Sequence, residues 1–335
     1  MDSIKKRLTL NRKTLALCLF IILWAALAAN LWRFYPADPD CLKAVSLYAD
    51  ILEETEIIGV EYSELTTTLG KLSIKKSSRN PAAAALMVRL LKDAGARQGT
   101  TAAINASGSF PGFVLASLSA CHALGVKAVV IASVGASSYG ANMYGNTIAD
   151  ILLKDKVRGL NHKLLAVTPG GSGDRGLELD AGELKRISLE LENQGIPFIR
   201  PANLEEAVSL RESLFKDAGC TLLINIGGSH AASGNDSGLG LLAGVIRPDK
   251  KKKYGEEGLI QFFLNEAKHV IQVLNIKKLY AAYGLYFDEN GELLRGGERL
   301  YRYRKLSPFA VILPPVISLI LFGVLRNSRK NKRLG

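Results

Sequence analysis

Four short segments rich in glycine and serine hold the residues of this chain best suited to chemistry. They are Ser107-Gly108-Ser109, Val134-Gly135-Ala136-Ser137-Ser138, Gly170-Gly171-Ser172 and Gly227-Gly228-Ser229. Each follows a run that reads as a β-strand. Glycine lets backbone approach a ligand and adopt positive φ, while serine adds a hydroxyl that donates and accepts. In a parallel sheet the carboxyl ends of the strands share one edge, and ligands bind in the crevice there. Helices starting just beyond present free N–H groups that favour an anion. The expected ligand-binding residues are Gly108, Ser137, Ser138, Gly171, Ser172, Arg175, Gly228, Ser229 and Asn235. Arg175 would clamp a carboxylate through its planar fork, or pair with its neighbour Asp174. The bland alternative is that such turns are ordinary strand-to-helix connections, with Ser109 before Phe110-Pro111 serving as a helix N-cap.

A catalytic reading needs a nucleophile and a base. The segment from Gly227 to Asp236 is the densest polar cluster. Its adjacent Ser229 and His230 point apart on an extended chain, so they do not pair. A better arrangement takes Ser107 or Ser109 as nucleophile and His230 as base, with Asp236 or Asp174 orienting the imidazole. Glycine-rich backbone would supply an oxyanion hole. There is no G-x-S-x-G elbow, no P-loop lysine and no complete dinucleotide fingerprint. The four histidines are scattered and no cysteine pair has metal-ligand spacing, so neither a metal nor a cofactor is expected. His122 and His269 read as helix residues with structural roles. The run Lys250–Lys253 reads as a solvated loop or a polyanion contact.

The elements that position these loops alternate along the chain. Thr101–Ala106, Lys127–Val134, Leu164–Thr168, Ile196–Arg200 and Thr221–Ile226 read as strands. Pro111–Leu124, Ala181–Gln194, Leu204–Lys216 and Gly258–Leu274 read as helices. Cys41–Glu54 and Pro81–Ala94 are expected helices ahead of the sheet, and Tyr280–Leu294 reads as a hairpin around Asp288-Glu289-Asn290-Gly291. Such alternation is the mark of an α/β fold with a mostly parallel sheet. One echo stands out: Thr101–Ser109 matches Thr221–Ser229 at five of nine positions, 120 residues apart. Cys41, Cys121 and Cys220 sit in apolar surroundings that fit buried thiols, with a Cys121–Cys220 bridge as the alternative.

The chain ends are uncharged over 19 residues, Thr14 to Trp32, and over 20, Leu306 to Leu325, with basic tails outside them. At 1.5 Å per residue both are long enough to read as transmembrane helices. The resulting expectation is a cytoplasmic tail (1–13), a span or signal anchor (14–32) and an extracytoplasmic α/β domain (33–305). A second span (306–325) and a second cytoplasmic tail (326–335) follow. The cations flanking the first span set that orientation; cleavage as a signal peptide after Ala26-Leu27-Ala28 is the alternative. The net charge of +12 does not imply nucleic acid. The two tails hold ten of the 43 cations and one of the 31 anions, leaving 33 against 30 elsewhere.

Ile104–Gly112, Val134–Asn142 and Ile224–His230 resemble the poly-γ-glutamate system protein family. That resemblance implies a membrane-bound accessory in making or exporting a capsule-type poly-γ-glutamate polymer, with the membrane, the polymer and other membrane proteins of the system as partners. It carries over no catalytic residues. Three functions follow as expectations: binding or guiding an anionic γ-linked polymer; a serine-type hydrolase or transpeptidase acting on it or on cell-wall peptide; and a scaffold for a synthase complex.

Overall fold

The computed structural model describes residues 37–234, 237–249, 251–255 and 257–302, with residues 20, 21, 24, 33, 34, 305, 306, 316 and 317. It divides into two units. The first, Met1–Ala37 with Arg302–Gly335, contains an antiparallel pairing of Arg33–Phe34 with Lys305–Leu306. The second, Asp38–Tyr301, carries the α/β fold.

Its chain order begins with α1 (Pro39–Glu54), β1 (Thr66–Thr68), α2 (Leu72–Ser77) and α3 (Ala82–Asp93). There follow β2 (Thr101–Ser107), α4 (Pro111–Leu124), β3 (Lys127–Ser133), β4 (Ala136–Ser137) and β5 (His162–Thr168). Next come α5 (Ala181–Asn193), α6 (Leu204–Asp217), β6 (Leu222–Ile226), β7 (Gly244–Ile246) and α7 (Leu259–Asn265). The last are β8 (His269–Val273), α8 (Ile276–Ala282), β9 (Tyr286–Phe287) and β10 (Leu293–Arg295). Six strands form one sheet in the order β7-β8-β6-β2-β3-β5, all neighbours parallel except β7, which runs against β8.

Side-chain alternation gives the sheet two apolar faces. Ile104, Val130 and Ile224 join one cluster with α1, α3 and α4. Ala103, Ile131, Leu223 and Val270 join another with Phe215 of α6 and Phe263 of α7. Because both faces are covered, the central strands are mostly apolar, interrupted by the buried Asn105, Asn225 and Gln272. Helix α4 is apolar all round and buried from Pro111 to Cys121, as such a helix must be. It stops at Gly125, whose φ of 66° provides the left-handed cap. The echo lies within the sheet itself. Strands β2 and β6 are parallel neighbours in a register of 120 residues, with Asn105 opposite Asn225.

Four expectations need correction. The late helix Gly258–Leu274 is two elements: α7 ends at Asn265, Ala267 turns at a φ of 56°, and His269–Val273 enters the sheet beside β6. Its β-branched residues pair with a neighbour rather than extend a helical face, so His269 lies on a strand. Ile196–Arg200 contributes a single bridge, Val167 to Phe198, because Pro197 and Pro201 remove two ladder donors. The hairpin is shorter than expected and pairs Tyr286–Phe287 with Leu293–Arg295, Tyr280 belonging to α8.

The largest correction concerns the membrane. Among the described residues no helix is long and apolar enough to cross one. The longest is α1, 16 residues carrying Asp40, Lys43 and Asp50, with one face buried in the core. Lack of charge over a window measures hydropathy alone; a span also requires a continuous helix satisfying its own backbone groups. Most of 14–32 and 306–325 lies outside the described residues. The α/β sheet stands, but flanking transmembrane helices, a two-pass membrane location and an extracytoplasmic body are not supported. Cys41, Cys121 and Cys220 are free and buried, and Cys18 lies outside the described residues.

Candidate functional site

A cavity of about 560 Å³ opens at the carboxyl ends of the central strands, a size usual for small-ligand sites. Its wall brings together Ser107, Ser109, Ser137, Gly171, Ser172, Gly228, Ser229 and His230. Gly108 lies behind the wall, where a Cβ would meet Ala136 Cβ and the Val134 carbonyl at 3.0 Å. Ser138 is also behind it, buried, its hydroxyl directed to the Thr68 carbonyl at 3.5 Å. Arg175 is exposed and does not line the cavity. Asn235 and Asp236 lie outside the described residues.

The serine–histidine arrangement does not form among the described residues. His230 Nδ1 accepts from the Gly173 N–H at 3.2 Å and makes no hydrogen bond to a serine. Ser107 Oγ accepts from the Ser109 N–H at 3.2 Å, and Ser109 Oγ accepts from the Ser137 N–H at 3.0 Å. Asp174 is buried beneath the cavity and bonded to Arg211 at 2.7 Å, so it orients no imidazole.

The group at the centre is one that sequence reasoning missed. Lys75, on the single turn and a half of α2, is 3% exposed. Its Nζ donates to Ser137 Oγ at 2.7 Å and to the Ser109 carbonyl, and lies 3.9 Å from the centre of the Phe110 ring. Among the described residues no carboxylate pairs with it. The ring face and the carbonyl favour the ammonium. Burial opposes them and wins, pushing the amine down from 10.5 to about 7. Gly70 keeps this contact open. A methyl group there would meet the Ser138 carbonyl at 2.8 Å, Ser137 Oγ at 3.2 Å and Lys75 Cε at 3.4 Å.

The loops are held by a polar ladder inside the sheet. Arg211 of α6, fully buried, donates to Asp174, Thr168 and Asn105 at 2.7, 2.9 and 3.1 Å. Asn105 in turn donates to Asn225, and Asn225 to Gln272, both at 2.7 Å. The ladder crosses β8, β6, β2 and the end of β5, and fixes Asp174, a non-glycine residue at φ 63°, in the loop behind Gly171 and Ser172. Gly227 bends at φ 98°, where a Cβ would come within 2.7 Å of Ser107 Cβ. That close approach seats the β6 loop against the β2 loop and leaves glycine as the residue that fits.

The chemistry of this arrangement is that of a hydroxyl beside a buried amine in a cavity that favours anions. Lys71 and Lys277 line the cavity with Lys75, against Glu178, whose Oε1 accepts the Ser172 N–H at 2.8 Å. Phe110, the residue that caps the start of α4, lines the cavity, so the helix's positive end faces the same region. Among the described residues no cluster of metal-binding side chains occurs.

No protein-family model matches the chain, and no curated protein does. Solved structures give remote likenesses. A hydrogen sulfide-producing enzyme of Fusobacterium nucleatum is 12% identical, covering 75% of this chain and 90% of its own, with a TM-score of 0.22. An O-ureido-L-serine synthase is 13% identical over 72% and 82%, with a TM-score of 0.21. Diaminopropionate ammonia lyase of Escherichia coli is 11% identical over 56% and 58%, with a TM-score of 0.18. At these scores the likenesses carry no argument about activity.

Proposed function

We propose that the protein is an acyl-transferring or hydrolytic enzyme of the serine–lysine type, acting on an amide-linked substrate that bears carboxylates. Ser137 is the nucleophile and Lys75 its base. The observation that carries this reading is the 2.7 Å contact between Lys75 Nζ and Ser137 Oγ in a cavity where the buried amine has no carboxylate partner among the described residues. With the amine neutral, its lone pair takes the hydroxyl proton as Ser137 Oγ adds to the substrate carbonyl. The resulting ammonium returns that proton to the departing amine as the amide C–N bond breaks. Water or an incoming amine then releases the acyl group from Ser137, giving hydrolysis or transfer.

The substrate class rests on charge. Lys71 and Lys277 beside the positive end of α4 suit carboxylates, which agrees with the resemblance to the poly-γ-glutamate system family. The physiological role that follows is trimming, transferring or otherwise processing γ-linked glutamyl chains in polymer production. A second reading is favoured by one contact: the bond from Lys75 to the Ser109 carbonyl ties two loops together, which suits a binding site without turnover. Reaction with a fluorophosphonate probe decides between them. Wild type is expected to gain one adduct on Ser137, lost in Ser137→Ala. An unreactive wild type that still binds γ-glutamyl oligomers leaves the binding reading and ends the enzymatic one.

A further inference from the structure

The cavity does not end at the reacting pair. A second cavity, of about 710 Å³, adjoins it between α2, α8 and the β9 hairpin. The two share a wall made by Gly70, Lys71, Ile74 and Lys277. Lys71 and Lys277 are both exposed, and among the described residues neither has an ion-pair partner. The far cavity is floored by Tyr286 and Phe287. Three acidic residues line it, Glu61, Asp288 and Glu289; Glu61 holds the Tyr139 hydroxyl, and Asp288 accepts the amides of Asn290 and Glu292 at 2.8 Å.

We infer that the two cavities form one groove for an extended chain, with one unit at Ser137 and the next crossing Lys71 and Lys277 to lie against Tyr286 and Phe287. This rests on the proposed acyl-transfer reading and adds to it a second subsite, beyond the wall that the two cavities share. A lone unit occupies only part of the first cavity and reaches nothing on the far side of the shared wall. A chain with a carboxylate on every unit places one at the junction while its methylenes and amides lie against the sides of the Tyr286 and Phe287 rings not taken by Arg295 and Tyr280. Shared lysines therefore read length, and the rings read the aliphatic part of the repeat.

The test is direct binding, which needs no turnover. Fluorescent γ-glutamyl oligomers of one, two, four and six units are titrated onto full-length Ser137→Ala protein and followed by anisotropy. Affinity is expected to rise tenfold or more between one unit and four, then level off as the groove fills. In Lys71→Gln/Lys277→Gln, and more weakly in Tyr286→Ala, that gain should shrink to threefold or less. Melting curves matching the parent confirm that these variants fold. Equal affinity at all lengths, or a length dependence untouched by the variants, overturns the groove. Failure of every oligomer to bind overturns it as well. The enzymatic reading fails separately, through absence of the Ser137 adduct in wild type.

Discussion

Lys75 and Arg211 are both buried cations near the carboxyl edge of one sheet, and their surroundings are opposite. Arg211 is matched by Asp174 and by side-chain acceptors from β2 and β5. Its charge is neutralised, so the ladder reads as framework. Lys75 has a hydroxyl, a carbonyl and an aromatic ring, but no carboxylate among the described residues. A buried charge left unpaired costs stability, and folds retain such costs at sites of function. The difference separates support from chemistry within a single polar region.

The largest expected effect breaks the comparison on the Lys75 side. Lys75→Met should lower the rate of Ser137 labelling by about 10³-fold, the scale of a lost general base. It should also raise the melting temperature. The unfolded chain keeps the lysine proton up to about 10.5 and the folded one only up to about 7. Between those values the unfolded state binds more protons, so wild-type stability falls as pH drops through that window. Methionine removes this penalty, and the stability gap between variant and wild type should widen from pH 10 to pH 7. The same titration sets the reaction profile. Only the neutral amine accepts the Ser137 proton, so labelling should fall about tenfold per pH unit below about 7 and level off above it. A pH-independent labelling rate, or a less stable Lys75→Met protein, would contradict the assignment.

Arg211→Met tests the other side. It leaves Asp174 buried without its cation, a change that costs about 3–5 kcal/mol when a buried pair is broken from one side. Urea denaturation should show the loss. Restoring neutrality with Asp174→Asn in the same chain should recover part of it. If both variants proved as stable as wild type, Arg211 would not be framework.

Gly70→Ala is a smaller perturbation aimed at the contact alone. The added methyl presses on Ser137 Oγ and the Ser138 carbonyl, and a displacement of that kind costs on the order of 10²-fold in rate. Labelling should slow by about that much, with a modest change in melting temperature. Rates within threefold of wild type would show that the loop yields without moving the hydroxyl.

The architecture was legible where local pattern and tertiary role coincide. The β2, β3 and β6 runs are mostly apolar because both faces are covered, and α4 is apolar all round because it is buried. The glycine–serine loops gather at one edge because parallel strands end together. What was hidden depended on contacts distant in sequence. Lys75 sits in Leu72-Ser73-Ile74-Lys75-Lys76-Ser77, where nothing local distinguishes a buried lysine from its exposed neighbour Lys76. Its partner Ser137 is 62 residues away. Arg211 is equally silent, one of two cations in the amphipathic α6. The strand at His269–Val273 was masked by an accidental helical spacing running on from α7.

The smallest expected effect concerns the histidine that sequence reasoning favoured. His230 lines the cavity, but its Nδ1 is occupied by the Gly173 amide and, among the described residues, no serine hydroxyl reaches it. It therefore stands outside the Lys75–Ser137 pair while sharing its cavity. His230→Gln keeps an acceptor for the Gly173 N–H and removes the imidazole, so Ser137 labelling should change by less than threefold, with an unaltered pH profile. A loss of a hundredfold or more would move the base from Lys75 to His230. The unpaired lysine would then have to be explained as a clamp between the Ser109 and Ser137 loops.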